Sequence, residues 1–356
     1  MGKECVYKSG AGSIEMVLRE GLCVGCGVCA GIFPDIFEMK LSGLGQYFPE
    51  IKDVKLYQRK KKDTAKICPF TGMGYNEDLI GEEQFGHLEG IQHSNELGFY
   101  LSTHVGWIND DSERLLSSAG GITTWLAKYL LKNDIVDGVI CVNAVHSAEI
   151  LFEYQIIRTN KELTWTRKSK YYPVEMSKVL DEVARTDGRF SVVGLPCFIK
   201  GLRLAIKYGY IEHEKIHSMI GLFCGHLKTM QFAQYLIRCC GFRNQQIVTL
   251  DFRKKLAKKK ASEYAFEAIG KNEFNDQETR SINMQDVLLG NWGLNAFMLK
   301  ACECCDDVVA ELGDISLGDA WLPEYVTDFR GTNTIICRSE DMQRILYEAA
   351  ADQEIV

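Results

Sequence analysis

Cys23, Cys26 and Cys29 stand three residues apart in GLCVGCGVCAG, and Cys68 stands directly before Pro69 in AKICPF. Thiolates at this spacing can each reach a different iron of one cubane, while a distant Cys followed by Pro supplies the fourth ligand. Gly25 and Gly27 let the backbone wrap closely round a bulky group. The chemistry this predicts is one-electron transfer at a 4Fe–4S cluster. Structural zinc is the rival reading, but zinc sites favour separate Cys-x2-Cys pairs over an overlapping triplet. Cys5 has no motif around it.

In two-cluster bacterial ferredoxins a Cys-Pro also closes the first triplet. Here that place reads Phe33-Pro34, and the stretch before Cys68, KKKDTAKICP, lacks a second triplet. The segment resembles a ferredoxin that has kept one of its two clusters.

A second set of thiols is scattered along the chain. FSVVGLPCFIKGLRLAIKYG runs from a strand over 190–193 through Gly194-Leu195-Pro196-Cys197 into a helix, and HSMIGLFCGHLKTMQFAQYLI repeats the design with Cys224 at its strand end. Cysteines at the ends of neighbouring strands share one rim of a sheet, where α/β proteins place their ligands. Cys302-x2-Cys305, with Cys304 between, completes a possible four-thiolate site. Zinc suits this set as well as an iron–sulfur cluster does, and spacing leaves both open. His226 is a candidate proton donor, although a lone His at a strand end is more often a structural hydrogen-bonder. Cys141 and Cys337 lie in apolar runs and read as buried thiols.

The elements that must position these residues have an α/β texture after residue 98. LSTHVGWI reads as a strand and VDGVICVNAV as a buried one. Between them Ile122, Trp125, Leu126, Tyr129 and Leu130 form the stripe of an amphipathic helix. Ser117 or Ser118 is its expected cap, with Gly120-Gly121 opening the first turn. Bare amides at such a turn suit a phosphate, though a plain packing turn has the same composition. Residues 76–95 are polar and read as a connector, giving a segment over 1–90 and a larger domain over 91–356. Lys60–Lys62 and Lys258–Lys260, with Arg253, Lys254 and Lys255, read first as solvated faces. Their functional alternative is a docking surface for an acidic redox partner.

Composition limits the field further. The chain has 356 residues, a formal charge of −7, 46% hydrophobic and 25% charged residues. That predicts a globular chain with a well-buried core and argues against nucleic acid as a partner. No apolar run is long enough to span a membrane, and the first residues lack the apolar stretch of a secretory signal. A cytoplasmic location is therefore expected, where fourteen cysteines point to metal chemistry or buried thiols rather than disulfides.

Taken in order, the CxxCxxC and CP motifs, GGITTWLAKYLL, VDGVI, SKYYP, VVGLPCFIKGLR, IGLFCGH, CECCDD and DISLGDAW resemble the coenzyme F420 hydrogenase/dehydrogenase beta subunit family over nearly the whole chain. That family includes relatives that reduce chlorophyll precursors with ferredoxin. The resemblance implies a ferredoxin-like segment followed by a mixed α/β flavin-binding domain. It also implies FAD and two 4Fe–4S clusters, the second held by Cys197, Cys224, Cys302 and Cys305, with Cys304 as a possible substitute. Gly120, Gly121 and Thr123 are then expected against FAD, with Lys170, Tyr171 and Asp319 nearby. The activity implied is electron exchange between coenzyme F420 and ferredoxin or a partner subunit. The alternatives are a ferredoxin-dependent reductase of another organic substrate and a non-catalytic relay subunit. No GxGxxG supports a nicotinamide partner.

Overall fold

The computed structural model describes residues 12–73, 75–145 and 150–356, so Cys5 lies outside the described residues. In chain order the strands are β1 (Phe37–Leu41), β2 (Tyr47–Ile51), β3 (Gln92–Ser94), β4 (Gly98–Tyr100), β5 (Ser102–Gly106), β6 (Gly138–Ala144), β7 (Phe152–Ile157), β8 (Phe190–Gly194), β9 (Ile216–Leu222), β10 (Ile247–Lys255), β11 (Tyr264–Lys271), β12 (Gln277–Asn283), β13 (Ile315–Asp319) and β14 (Asn333–Cys337). Seven of them form one mixed sheet in the order β5-β14-β13-β9-β8-β6-β7. Its centre, β13-β9-β8-β6, is parallel, and both margins are antiparallel. The central strands are near-continuous apolar runs because helices cover both faces. The α/β expectation is met by this sheet, and each strand read from the sequence falls within it.

One face carries helices Ile122–Lys132 and Glu340–Ala351, joined through Ile122, Leu126, Leu130, Ile345 and Leu346. The predicted helical stripe is present, but its cap is not a serine. Gly121 occupies the cap position at φ +91°, and Asn333 Oδ1 accepts from the Ile122 N–H at 3.1 Å. Ser117 instead donates to the Glu113 carbonyl, and Ser118 accepts from the Ser169 N–H.

The other face carries helices Ser177–Arg185, Pro196–Lys207 and Met230–Cys239, and the N-terminal segment packs onto them. A single buried cluster runs from Ile14, Val28 and Ile67 through Leu180, Phe198 and Leu202 to Leu312. Val28 lies against Gly201, where an added Cβ would meet it at 3.1 Å. Phe33 stacks edge-on against Tyr210 at 5.1 Å. Met176 N–H donates to the Cys26 carbonyl at 2.9 Å, and Met230 N–H to the Gly45 carbonyl at 2.8 Å.

The polar stretch expected to be a connector is structured. Asn76 caps helix Glu77–Phe85, and β3 pairs with β4. Its charges have partners on the long helix: Glu77 bonds Lys200 at 2.9 Å, and Glu83 pairs with Lys207. Local polarity suggested a linker because those partners lie more than a hundred residues away. Among the described residues no helix is long and apolar enough to cross a membrane.

Candidate functional site

Cys23, Cys26, Cys29 and Cys68 line one apolar cavity together with Ile14, Val17, Pro49 and Pro69. Helix Val28–Ile32 begins at Gly27, whose φ of +80° no β-branched residue adopts readily, and Cys26 and Cys29 on either side of it line the same cavity. Cys68 arrives at the end of helix Val54–Lys66. Burial pushes all four thiols up, Cys23 to about 11 and Cys68 to about 12. Their mutual repulsion adds to burial at Cys26, Cys29 and Cys68. Backbone N–H groups of Gly25, Val28, Ala30 and Phe70 oppose the rise, each favouring a thiolate. Thiols raised in this way would ionise here only against a nearby positive charge, such as a metal.

The second set also converges. Cys197 lies in the first turn of helix Pro196–Lys207, directly after β8, and Cys224 follows the neighbouring parallel strand β9. The turn Lys300–Cys304 delivers Cys302 and leads into Cys305. Burial raises Cys197 well above the ordinary thiol range, and Cys224, Cys305 and Cys302 add their repulsion. Leu227 N–H donates to Cys302 Sγ at 3.2 Å. Among the described residues no group of three or more His, Cys, Asp or Glu side chains converges as the ligands of a single ion.

The two sets are neighbours. Cys26 of the first acts electrostatically on Cys197 of the second. Tyr154, buried on β7, feels burial first and then Cys141, Cys197 and Cys26, which together push its hydroxyl far up. Its OH donates to the Val193 carbonyl at 3.3 Å, bracing the strand end that leads into Cys197. Nothing in the spacing of a single Tyr on a strand announced this position.

Beyond the second set lies a polar region where the residues expected near a flavin gather. Arg253 on β10 bonds Asp319 at 3.0 Å and Tyr171 OH at 3.2 Å. Burial opposes its charge, but Tyr171 and Asp319 outweigh it and hold the guanidinium above its usual range. Lys168 pairs with Asp251 at 2.7 Å. Lys255 donates to the carbonyls of Arg114, Ala119 and Arg330, and burial depresses it to about 7. Arg253 and Lys255 are thus not the solvated face first read from the lysine run, because β10 turns them inward. Lys254, Lys258, Lys259 and Lys260 do remain exposed.

Gly120 is packed rather than open: a Cβ there would lie 2.6 Å from the Gly106 carbonyl. Gly121 and Thr123 sit at the same helix start, just after the loop that Lys255 holds through Ala119. Lys170 is half-buried and gives its bonds to the Thr166 and Arg167 carbonyls, and loss of water round its ammonium brings it to about 7. Tyr171 continues through Trp292 at 4.7 Å to His226, 4.4 Å from the same indole. Burial and then Lys228 lower His226 to about 4, so it stays neutral at pH 7. Its Nε2 is buried without a hydrogen-bond partner. The ring packs on Trp292.

Profiles described as "Coenzyme F420 hydrogenase/dehydrogenase, beta subunit" match this chain, the N-terminal one over residues 103–181 and the C-terminal one over 187–356. The coenzyme F420-dependent sulfite reductase of Methanocaldococcus jannaschii is 25% identical over 347 residues, covering 93% of this chain. The chain spans about half of that relative, 46% of its length. A 56-residue stretch, 16% of the chain, is 34% identical to a ferredoxin of Thermococcus litoralis and covers 88% of it. Among solved structures, a chain of the F420-reducing [NiFe] hydrogenase complex from Methanosarcina barkeri superposes with a TM-score of 0.55 at 18% identity. The match covers 74% of this chain and 84% of that one, and it shows a shared fold.

Proposed function

Because the chain belongs to the coenzyme F420 hydrogenase/dehydrogenase beta subunit family, we propose that it is an iron–sulfur flavoprotein oxidoreductase. In this reading it moves electrons between coenzyme F420 and ferredoxin or a partner subunit. FAD, when bound, would exchange a hydride with an organic carrier and electrons singly with the clusters. The observation that carries the reading is the adjacency of the two thiol sets, with Cys26 acting on Cys197 and Tyr154 beside both.

This chain's own residues supply the rest. Cys23, Cys26, Cys29 and Cys68 would hold the outer cluster, and Cys197, Cys224, Cys302 and Cys305 the inner one. Arg253 and Lys168, paired with Asp319 and Asp251, stand near the phosphates of a dinucleotide in this reading, and Tyr171, Trp292 and Trp321 offer aromatic faces to a planar ring. Cys26 and Cys29 are buried in the shared core and Cys68 and Cys197 pack against it, whereas Cys305 is exposed.

Anaerobic purification with iron and flavin counts tests this. Two 4Fe–4S clusters give about eight irons per chain, with one FAD bleached by reduced F420. Flavin reduced only by ferredoxin would instead favour a reductase of another organic substrate. No flavin after reconstitution with FAD would reduce the chain to a relay, and four irons with zinc would remove the inner cluster.

A further inference from the structure

Lys228 is 4% exposed, and its ammonium donates to the Ala296 carbonyl at 2.6 Å. It lies over the rings of Trp292 and Phe232 at 4.7 and 5.2 Å. No carboxylate among the described residues pairs with it. Burying an ammonium in apolar surroundings without a counter-ion is costly, and such charges are normally matched. The backbone shows what faces it. Lys228 bridges Met298, Leu299 N–H bonds the Leu227 carbonyl at 3.2 Å, and Leu227 N–H reaches Cys302 Sγ at 3.2 Å. Burial lowers Lys228 to about 8, and Cys302 is the thiol whose ionised form would oppose that fall.

The acids round the same thiols are already answered by the protein. Asp307 acts on Cys224 and Cys305 but is opposed by Arg338. Glu77 acts on Cys305 and bonds Lys200. Lys228 has no carboxylate partner among the described residues and adjoins the residue whose N–H reaches Cys302 Sγ, so a loaded cluster there would supply its counter-charge. We propose that Lys228 is a built-in charge partner of the inner cluster, favouring the electron that each one-electron reduction adds there. The inference rests on the reading of Cys197, Cys224, Cys302 and Cys305 as cluster ligands.

The test is an anaerobic redox titration of the full chain, with electrons supplied by dithionite and withdrawn by ferricyanide, each cluster followed by its paramagnetic resonance signal. Cys68→Ala protein, lacking the outer cluster, identifies the inner signal. Lys228→Met with unchanged iron should lower the inner cluster's share of electrons at least tenfold, ~59 mV for a one-electron couple. The outer signal should move far less, and Lys228→Arg should restore the inner one. Unchanged midpoints at full iron content would overturn the proposal. So would loss of the inner cluster in the Met, Gln and Arg variants alike, which would mark a purely structural lysine. A wild-type chain with only about four irons would instead remove the inner cluster itself, and this inference with it.

Discussion

Burial, followed by the neighbouring Asp307 and Glu77 carboxylates, pushes the Glu311 carboxyl up to about 7 from the ordinary 4.5, while Arg338 pulls the other way. Between those two values the folded chain keeps a proton that the unfolded chain releases. Stability therefore falls as pH rises through that window and is highest below it. The wild-type melting temperature should decline from pH 5 to pH 7.5, and Glu311→Gln should flatten that slope; parallel slopes would show that Glu311 does not titrate there. The thiols give a count rather than a slope. Cys68→Ala and Cys197→Ala should each take the chain from about eight irons to about four, because each removes a ligand from a different cubane. Full iron in Cys197→Ala protein, measured after anaerobic reconstitution, would separate Cys197 from the metal.

The elements differ in how openly the sequence announced them. The stripe of helix Ile122–Lys132, the strands ending near Cys197 and Cys224, and the Cys triplet all follow from local period and spacing. The serine cap failed because Asn333, from the far end of the chain, reaches the helix start first. The polar connector failed for a related reason: Glu77 and Glu83 are matched by Lys200 and Lys207, not by water. The lysine run misled because strand β10 has a register shift between Asp251 and Lys254, so simple alternation does not say which side chains turn in. What the sequence hid were long-range partners of charged groups. Gly27 shows how narrowly the elements fit. At φ +80° it caps helix Val28–Ile32, and an added Cβ would sit 2.7 Å from Met176 N. Gly27→Val should cost about 1–3 kcal/mol from the backbone alone, with packing strain added. Urea unfolding of the apo chain should show that loss, and a midpoint equal to wild type would mean the turn can open without harm.

For the whole molecule the question is whether residues 1–90 form a detachable module, as the sequence suggested, or one wall of a shared interior. Ile14, Val28, Ile36, Tyr57 and Ile67 belong to the same buried cluster as Leu180, Phe198, Ile199 and Leu202. A Cβ on Gly31 would press Leu180 at 2.8 Å, and Lys300 reaches back to the Glu20 carbonyl at 2.8 Å. Each large apolar side chain uncovered would forfeit about 1.5–3 kcal/mol, so stripping several exceeds the roughly 5–15 kcal/mol that holds a typical domain together. Helices Ser177–Arg185 and Pro196–Lys207 would still cover the sheet but lose their own outer cover, and an exposed apolar face of that kind associates with itself. A chain beginning at residue 91 should accordingly elute as aggregate in size-exclusion light scattering and melt without a cooperative transition, while the full chain remains monodisperse. A monomeric, cooperatively melting fragment would establish the N-terminal segment as an independent unit. The adjacency of Cys26 and Cys197 would then rest on docking between two units rather than on a common core.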